Sequence, residues 1–300
     1  MGTWGAGLYD SDVTLDLKGD FKDVVRAPWD GERLLVWVVE KYPAAADPGN
    51  SDYVDLRLAI ADLFWTYGIE HSATLESALA IIENGTDVAV KRELGMRETD
   101  LRRRERVLRK LTEKWRLPNP KPRRRNILTR PEEFLFEIGD CLVYPTASGK
   151  LRNPYFTPKA EERYCKAYPW NPDGWGAAIV VNRYLKYGVF ARYIVALVAN
   201  DPSRKPAFED FPRFSIIHTQ RIGRPPWRRV HALSISALHL KRMMIELVGR
   251  LGLDEAKLFK EFDPASPEIA PYGESSYQLQ VKPAGRLDVD DPIARFLVSG

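Results

Sequence analysis

Charge is segregated along this chain, and that limits what it can fold into. Residues 1–90 hold 6 basic and 16 acidic residues, a net of −10, whereas residues 91–130 hold 16 and 5, a net of +11. Residues 131–300 hold 23 and 20, close to balance. The hinge of this pattern is Glu93 to Arg130, ELGMRETDLRRRERVLRKLTEKWRLPNPKPRRRNILTR, where a helical pattern loaded with arginine runs into a proline-rich basic tract. Blocks of opposite sign in neighbouring segments either dock on each other or recruit separate partners. The reading is therefore a helical domain over 1–117 ending in a basic helix, a proline/arginine-rich linker over 118–130, and a second domain over 131–300.

The acidic third reads as helices. Val13, Leu17, Phe21, Val24 and Val25 recur at three or four, with Asp10, Ser11 or Asp12 as caps and Pro28 as a stop. Glu32–Tyr42 fits either a buried helix or a strand, and its neighbours favour a helix; Tyr53–Tyr67 reads as a further helix, with Leu56, Ala59, Ile60, Leu63, Phe64 and Tyr67 in one stripe ended by Gly68. Thr74–Glu83 is a fourth, stopped at Asn84-Gly85. Asp12, Asp16, Asp20 and Asp23 lie about one turn apart, but Leu15 stands where a calcium loop needs glycine, so they read as a solvated or salt-bridged face. His71 lies in a connection and carries no inference.

Gly2-Thr3-Trp4-Gly5-Ala6-Gly7, followed by Tyr9, Asp12 and Asp16, resembles the opening of the bacterial domain-of-unknown-function 4259 family. Leu58–Trp65 and Leu79–Gly85 resemble longer members of that group, in which a basic helix, a proline-basic linker and a β-rich domain follow. The resemblance spans about residues 1–145 and implies no catalytic residues.

Arg97–Arg116 reads as one helix with a narrow seam of Leu101, Val107 with Leu108, Leu111 and Trp115. Arg102, Arg103, Arg104, Arg106, Arg109, Lys110, Lys114 and Arg116 fill the rest, with Glu98–Arg102 and Glu105–Arg109 as pairs worth about 0.3 kcal/mol each. Three readings stand: docking on the acidic domain, an acidic protein partner, or nucleic-acid phosphates. Docking is favoured, because the seam needs something to pack against; it would leave Lys121 to Arg125 as the free positive charge. Pro118, Pro120 and Pro122 make the following residues extended and semi-rigid.

From Glu133 the period shortens. Phe134–Ile138, a Gly139-Asp140 turn, Cys141–Tyr144, the stretch 175–200, Phe214–Ile222 and Val230–Ser236 read as strands. Residues 150–174 read as a long polar loop, Leu238–Leu251 as a helix, Asp254–Phe262 as a short capped helix, Tyr277–Val281 as a strand and Pro292–Val298 as a final helical turn. The expected fold is α+β, a helical domain joined to a barrel-like sheet with C-terminal helices. Phe136–Pro145 resembles the first strand of immunity-protein 26-type barrels from bacterial toxin systems, with a long insertion before Trp175; this implies a barrel and a toxin-neutralising role.

No phosphate loop, HExxH, GxSxG or CxxC motif occurs, so no catalytic residue, metal site or cofactor is expected. His218, His231 and His239 with Cys165 lack ligand spacing, and Cys165 reads as an inert thiol. The chain has two cysteines, no apolar run of membrane length and no signal-peptide pattern, so it is expected in the cytoplasm. The expectation is a non-enzymatic protein-binding module, an immunity-type protein by resemblance; the alternative is a nucleic-acid-associated factor, with an enzyme of unfamiliar type still open. The partner-binding candidates are Arg102, Arg103, Arg106, Arg123, Arg124 and Arg125, together with Arg224, Trp227, Arg228 and Arg229 of a second basic loop.

Overall fold

Apolar residues at helical spacing give the N-terminal third its shape. A computed structural model describes residues 5–149, 151–154, 163, 170–219, 227–228, 230–262, 286–287 and 291–298; the chain divides into two compact units, Met1–Arg130 and Pro131–Gly300. The first unit contains α1 (Asp12–Val24), α2 (Gly31–Lys41), α3 (Pro43–Ala46), α4 (Tyr53–Tyr67), α5 (Ser72–Glu83), α6 (Thr86–Glu93) and α7 (Glu98–Trp115). Five of them, all but α3 and α6, were expected. Val13, Leu17, Phe21 and Val24 of α1 are buried, and Asp30 caps α2 by accepting from the Arg33 amide at 2.8 Å.

α4 is buried almost all round, not only along the stripe read from the sequence: Val54, Leu58 and Ala61 are covered as well, and it is the core helix of the unit. Gly68 ends it with φ +61°. His71 has a structural role that the sequence did not signal. Its Nδ1 accepts from the Thr74 amide at 3.2 Å at the start of α5, and its Nε2 lies 2.8 Å from Glu32. α6 was not expected either, since Gly85 ends α5 and immediately precedes it.

The second unit supplies the β half of the α+β fold. Its main sheet is five-stranded and antiparallel in the order β6-β3-β2-β1-β7, from β1 (Asp140–Thr146), β2 (Gly174–Lys186), β3 (Phe190–Val198), β6 (Val230–Leu233) and β7 (Glu246–Arg250). β4 (His218–Thr219) lies between β5 (Trp227–Arg228) and β8 (Arg286–Leu287) in a smaller sheet. Alternate residues of the main sheet feed two cores. Cys141, Val143, Ile179, Ile194 and Ala196 face Phe211, Leu258, Phe262 and Phe296; Leu142, Tyr144, Val180, Tyr193 and Val195 face Phe136, Leu151, Ile235 and Met243. A sheet covered on both faces favours near-continuous apolar runs, and all nine residues of β3 are buried, with Arg192 its one charged member.

Two expectations are corrected, and the final helical turn is present. Phe134–Ile138 is not a strand; Gly139, with φ +89°, turns the chain into β1, and Phe136 packs from outside the sheet. Leu238–Leu251 is not one helix. It is a helix over Ala237–Met243, a left-handed Met244 with φ 57°, and then β7, because pairing with β1 satisfies the backbone of 246–250. Pro292–Val298 forms a 3-10 turn over Ile293–Phe296. The capped helix at Asp254 is present as Glu255–Glu261. Most of 150–174 and all of Tyr277–Val281 lie outside the described residues. Among the described residues no helix is long and apolar enough to cross a membrane.

Candidate functional site

α7 carries the densest positive charge in the chain, and its two faces are used differently. Glu98 and Asp100 in its first turn complement the helix dipole. Leu101, Arg104, Leu108, Leu111 and Trp115 are buried, spaced at three or four. Leu108, Leu111 and Trp115 pack with Leu8, Val54, Leu58, Ala61 and Ala78, so α7 completes the helical unit.

Arg104 is the unexpected member of that seam. It is 1% exposed, as are Lys91 and Asp55, and Asp87 is fully buried. The guanidinium forks onto Asp87, with Nε–Oδ1 at 2.9 Å and Nη2–Oδ2 at 2.7 Å. It also donates to Asp55 at 3.1 Å and to the Gly7 carbonyl at 2.7 Å, while Lys91 donates to the second Asp55 oxygen at 2.5 Å. Removing ions from water costs several kcal/mol each, and only matched, hydrogen-bonded partners offset it. Here two cations meet two carboxylates. Burial opposes the charged guanidinium, but the Asp87 hydrogen bonds and the charges of Asp87, Asp55 and Asp10 outweigh it and hold Arg104 above its ordinary pKa.

The glycine-rich opening segment serves this network. Asp10 accepts from the Gly7 amide at 2.7 Å, and a Cβ on Gly5 or Gly7 would sit 2.3 or 2.7 Å from the Asp10 carboxylate. Nearby, Asp62 accepts from Lys114 at 2.5 Å and from the Tyr9 hydroxyl at 2.9 Å; burial, then Asp62, pushes the Tyr9 phenol far up. Lys114 also lies 4.3 Å over the Trp65 ring.

The outer face is different. Arg102, Arg103, Arg106, Arg109 and Lys110 are exposed. Arg103 contacts Asp100 at 3.2 Å, but among the described residues no ion pair forms at Arg102, Arg106, Arg109 or Lys110. The expected Glu98–Arg102 and Glu105–Arg109 pairs are not made; Glu98 turns to Arg92 at 3.2 Å. Arg103, Arg106, Val107, Arg109, Lys110 and Glu113 line an open hollow on this face. Val107, placed in the seam by the sequence, is only half-buried.

The basic tract after α7 is not the free charge expected of it. Asn119 donates to the Trp65 carbonyl at 3.0 Å and the Arg123 amide to the Thr66 carbonyl at 2.8 Å. The Arg123 guanidinium lies 5.5 Å over the Tyr67 ring. Arg125 donates to the carbonyls of Val25, Ala27 and Trp29 at 2.9, 3.2 and 2.7 Å; burial lowers its pKa, against the pull of Asp30. The three carbonyls lie along the connection from the C-cap of α1, Val25, to the residue before the N-cap of α2, Trp29. Arg124 is exposed and, among the described residues, unpaired. The expected division holds in part: α7 docks through its inner face, but Arg123 and Arg125 of the tract are tied to the helical unit, and the outer cations of α7 carry no ion pair among the described residues.

In the second unit, Trp227 and Arg228 form β5 opposite Thr219 and His218; Arg224 and Arg229 lie outside the described residues, as does Cys165. His218 Nε2 lies 2.9 Å from the buried Asp291, which also takes Arg295 at 2.5 Å. His231 is on β6 and His239 on the helix Ala237–Met243, so no continuous helix aligns them. Among the described residues no three His, Cys, Asp or Glu side chains are grouped to hold a metal. Cys141 is fully buried, and burial pushes its thiol up to about 12. Comparison with protein-family models, with curated proteins and with solved structures gave no match to this chain.

Proposed function

We propose that the protein is a non-enzymatic protein-binding module that presents the outer face of α7 to an acidic surface of a partner. One observation carries this: among the described residues, a row of exposed arginine and lysine at positions 102, 106, 109 and 110 has no ion-pair partner, although the buried cations of the inner face of the same helix are matched by carboxylates. Like charges a turn apart repel, so the row costs the free helix stability that a complementary surface would return. Glu105 and Glu113 are exposed beside the row, and its outer positions include no aromatic side chain. Carboxylates repel a phosphate backbone, and base stacking needs a ring, so a protein partner is favoured over nucleic acid. The resemblance of Phe136–Pro145 to immunity-type barrels suggests the class of partner, a bacterial toxin met in the cytoplasm.

Affinity purification with the native chain and with an R102E/R106E/R109E variant tests this. The expected result is an acidic protein retained at low salt by the native chain, identified, re-bound as a purified component, and lost with the variant. Retention of duplex DNA or heparin that weakens steeply with salt, with no protein re-bound, would replace this reading with the nucleic-acid one.

A further inference from the structure

The hollow on the outer face of α7 is more than a charged surface. Val107, half-buried against the core of the helical unit, lines it with its remaining surface, and Arg103, Arg106, Arg109, Lys110 and Glu113 surround it. Long cationic side chains present hydrocarbon stems near the backbone and charge at their tips. The wall of the hollow is therefore apolar low down, where Val107 adds a branched aliphatic floor, and positive at the rim. A lone apolar group would leave the rim without anions. A polyphosphate would satisfy the rim but gain nothing from Val107, and it would meet the carboxylate of Glu113.

We propose that the hollow seats a short acidic peptide segment of the partner through one aliphatic or aromatic anchor residue. The anchor packs on Val107 and the arginine and lysine stems, and flanking Asp or Glu residues pair with Arg103, Arg106, Arg109 and Lys110. Glu113 closes one end and sets the direction of the segment, since a carboxylate there is repelled and a neutral or basic residue is accepted. From Arg103 to Lys110 the helix rises about 10 Å, which matches an anchor with two or three residues around it. A contact this small gives weak binding strengthened at low salt. The inference rests on the acidic-partner reading above and adds the form of the ligand.

Fluorescence anisotropy with the full chain tests it. The probes are a labelled twelve-residue Asp/Glu peptide with a central Leu or Phe, the same peptide with Ala at the centre, and a twelve-nucleotide single-stranded DNA. The Leu or Phe peptide should bind about tenfold more tightly than the Ala peptide, the gain expected from burying one such side chain. That ratio should fall to near one in Val107→Ser, with an unchanged helical circular dichroism spectrum confirming that the variant is folded, while both peptides should weaken with salt and in R103Q/R106Q. Equal affinity for the two peptides would overturn the anchor seat and leave the acidic-partner reading standing. DNA binding more tightly than either peptide, or no peptide binding at low ionic strength, would overturn both.

Discussion

Arg104→Met is the substitution that most directly tests how α7 is held. It removes both hydrogen bonds to Asp87, one to Asp55 and one to the Gly7 carbonyl. Lys91 still covers Asp55, but Asp87, fully buried, loses its fork partner. Breaking a buried ion pair from one side costs about 3–5 kcal/mol, because a charge is left uncompensated. For a unit of about 130 residues, an unfolding entropy near 2.1 cal/mol/K per residue converts that to a fall in melting temperature of about 11–18 °C. The assay is thermal unfolding of the full chain followed by helical circular dichroism, a signal dominated by the first unit. Adding Asp87→Leu to Arg104→Met should recover at least half of the loss, since an apolar pair of similar volume removes the stranded charge. R102E/R106E, on the exposed face, should stay within about 0.5 kcal/mol. If Arg104→Met melts within about 3 °C of the native chain, or if the outer-face variant loses as much, the network does not hold the helix and the division into two faces is wrong.

Arg125→Ala leaves three carbonyls without a donor and should cost about 1–3 kcal/mol; trypsin should cut within 116–130 faster, and unchanged cleavage would show that the tract is not bonded down. Gly139→Ala places a methyl group 2.2 Å from the Leu251 carbonyl at φ +89°, so the second unit should lose more than about 3 kcal/mol, read as a shift in its denaturant midpoint. The Cys141 thiol should resist aromatic disulfide reagents from pH 7 to 10, because it ionises only near about 12 and is fully buried; modification at the pace of a free thiol in the folded chain would contradict its placement.

Much of the first unit was legible in the sequence because its helices have apolar residues at helical spacing and clear stops: Pro28 beyond α1, Gly68 after α4, Asn84-Gly85 after α5; α2, whose segment fitted a strand as well, was settled only by its neighbours. α6 was not, because TDVAVKRE is short, polar and directly follows a stop signal; α4 and α7 position it, not its own pattern. Leu240, Met243, Leu247, Val248 and Leu251 fit a helix by period, and only the unpaired edge of β1, more than a hundred residues away, turns the second half into a strand. At the candidate site, Arg104 was hidden among six neighbouring arginines. The signal was its register, three after Leu101 and four before Leu108, on the face shared with Leu111 and Trp115. The carbonyl contacts of Arg125 could not be read at all, since they depend on where α1 ends in space.

The central sheet has a consequence for how the chain is made. β2 and β3 are joined by the three-residue turn 187–189, in which Tyr187 and Gly188 take φ of 54° and 75°, so this hairpin closes locally and early. One apolar face, however, is covered by Phe211, Leu258, Phe262 and Phe296, all later in the chain; the other is shared between the earlier Phe136 and Leu151 and the later Ile235 and Met243. At a synthesis rate of about 5–20 residues per second, the last of these follows the end of β3 by about 5–20 s. For that interval a nascent chain displays an oily ribbon, bare on one side and partly covered on the other. A slower codon tract before residue 200 would be harmless, whereas one between 200 and 260 would prolong the exposure and lower the yield of folded protein.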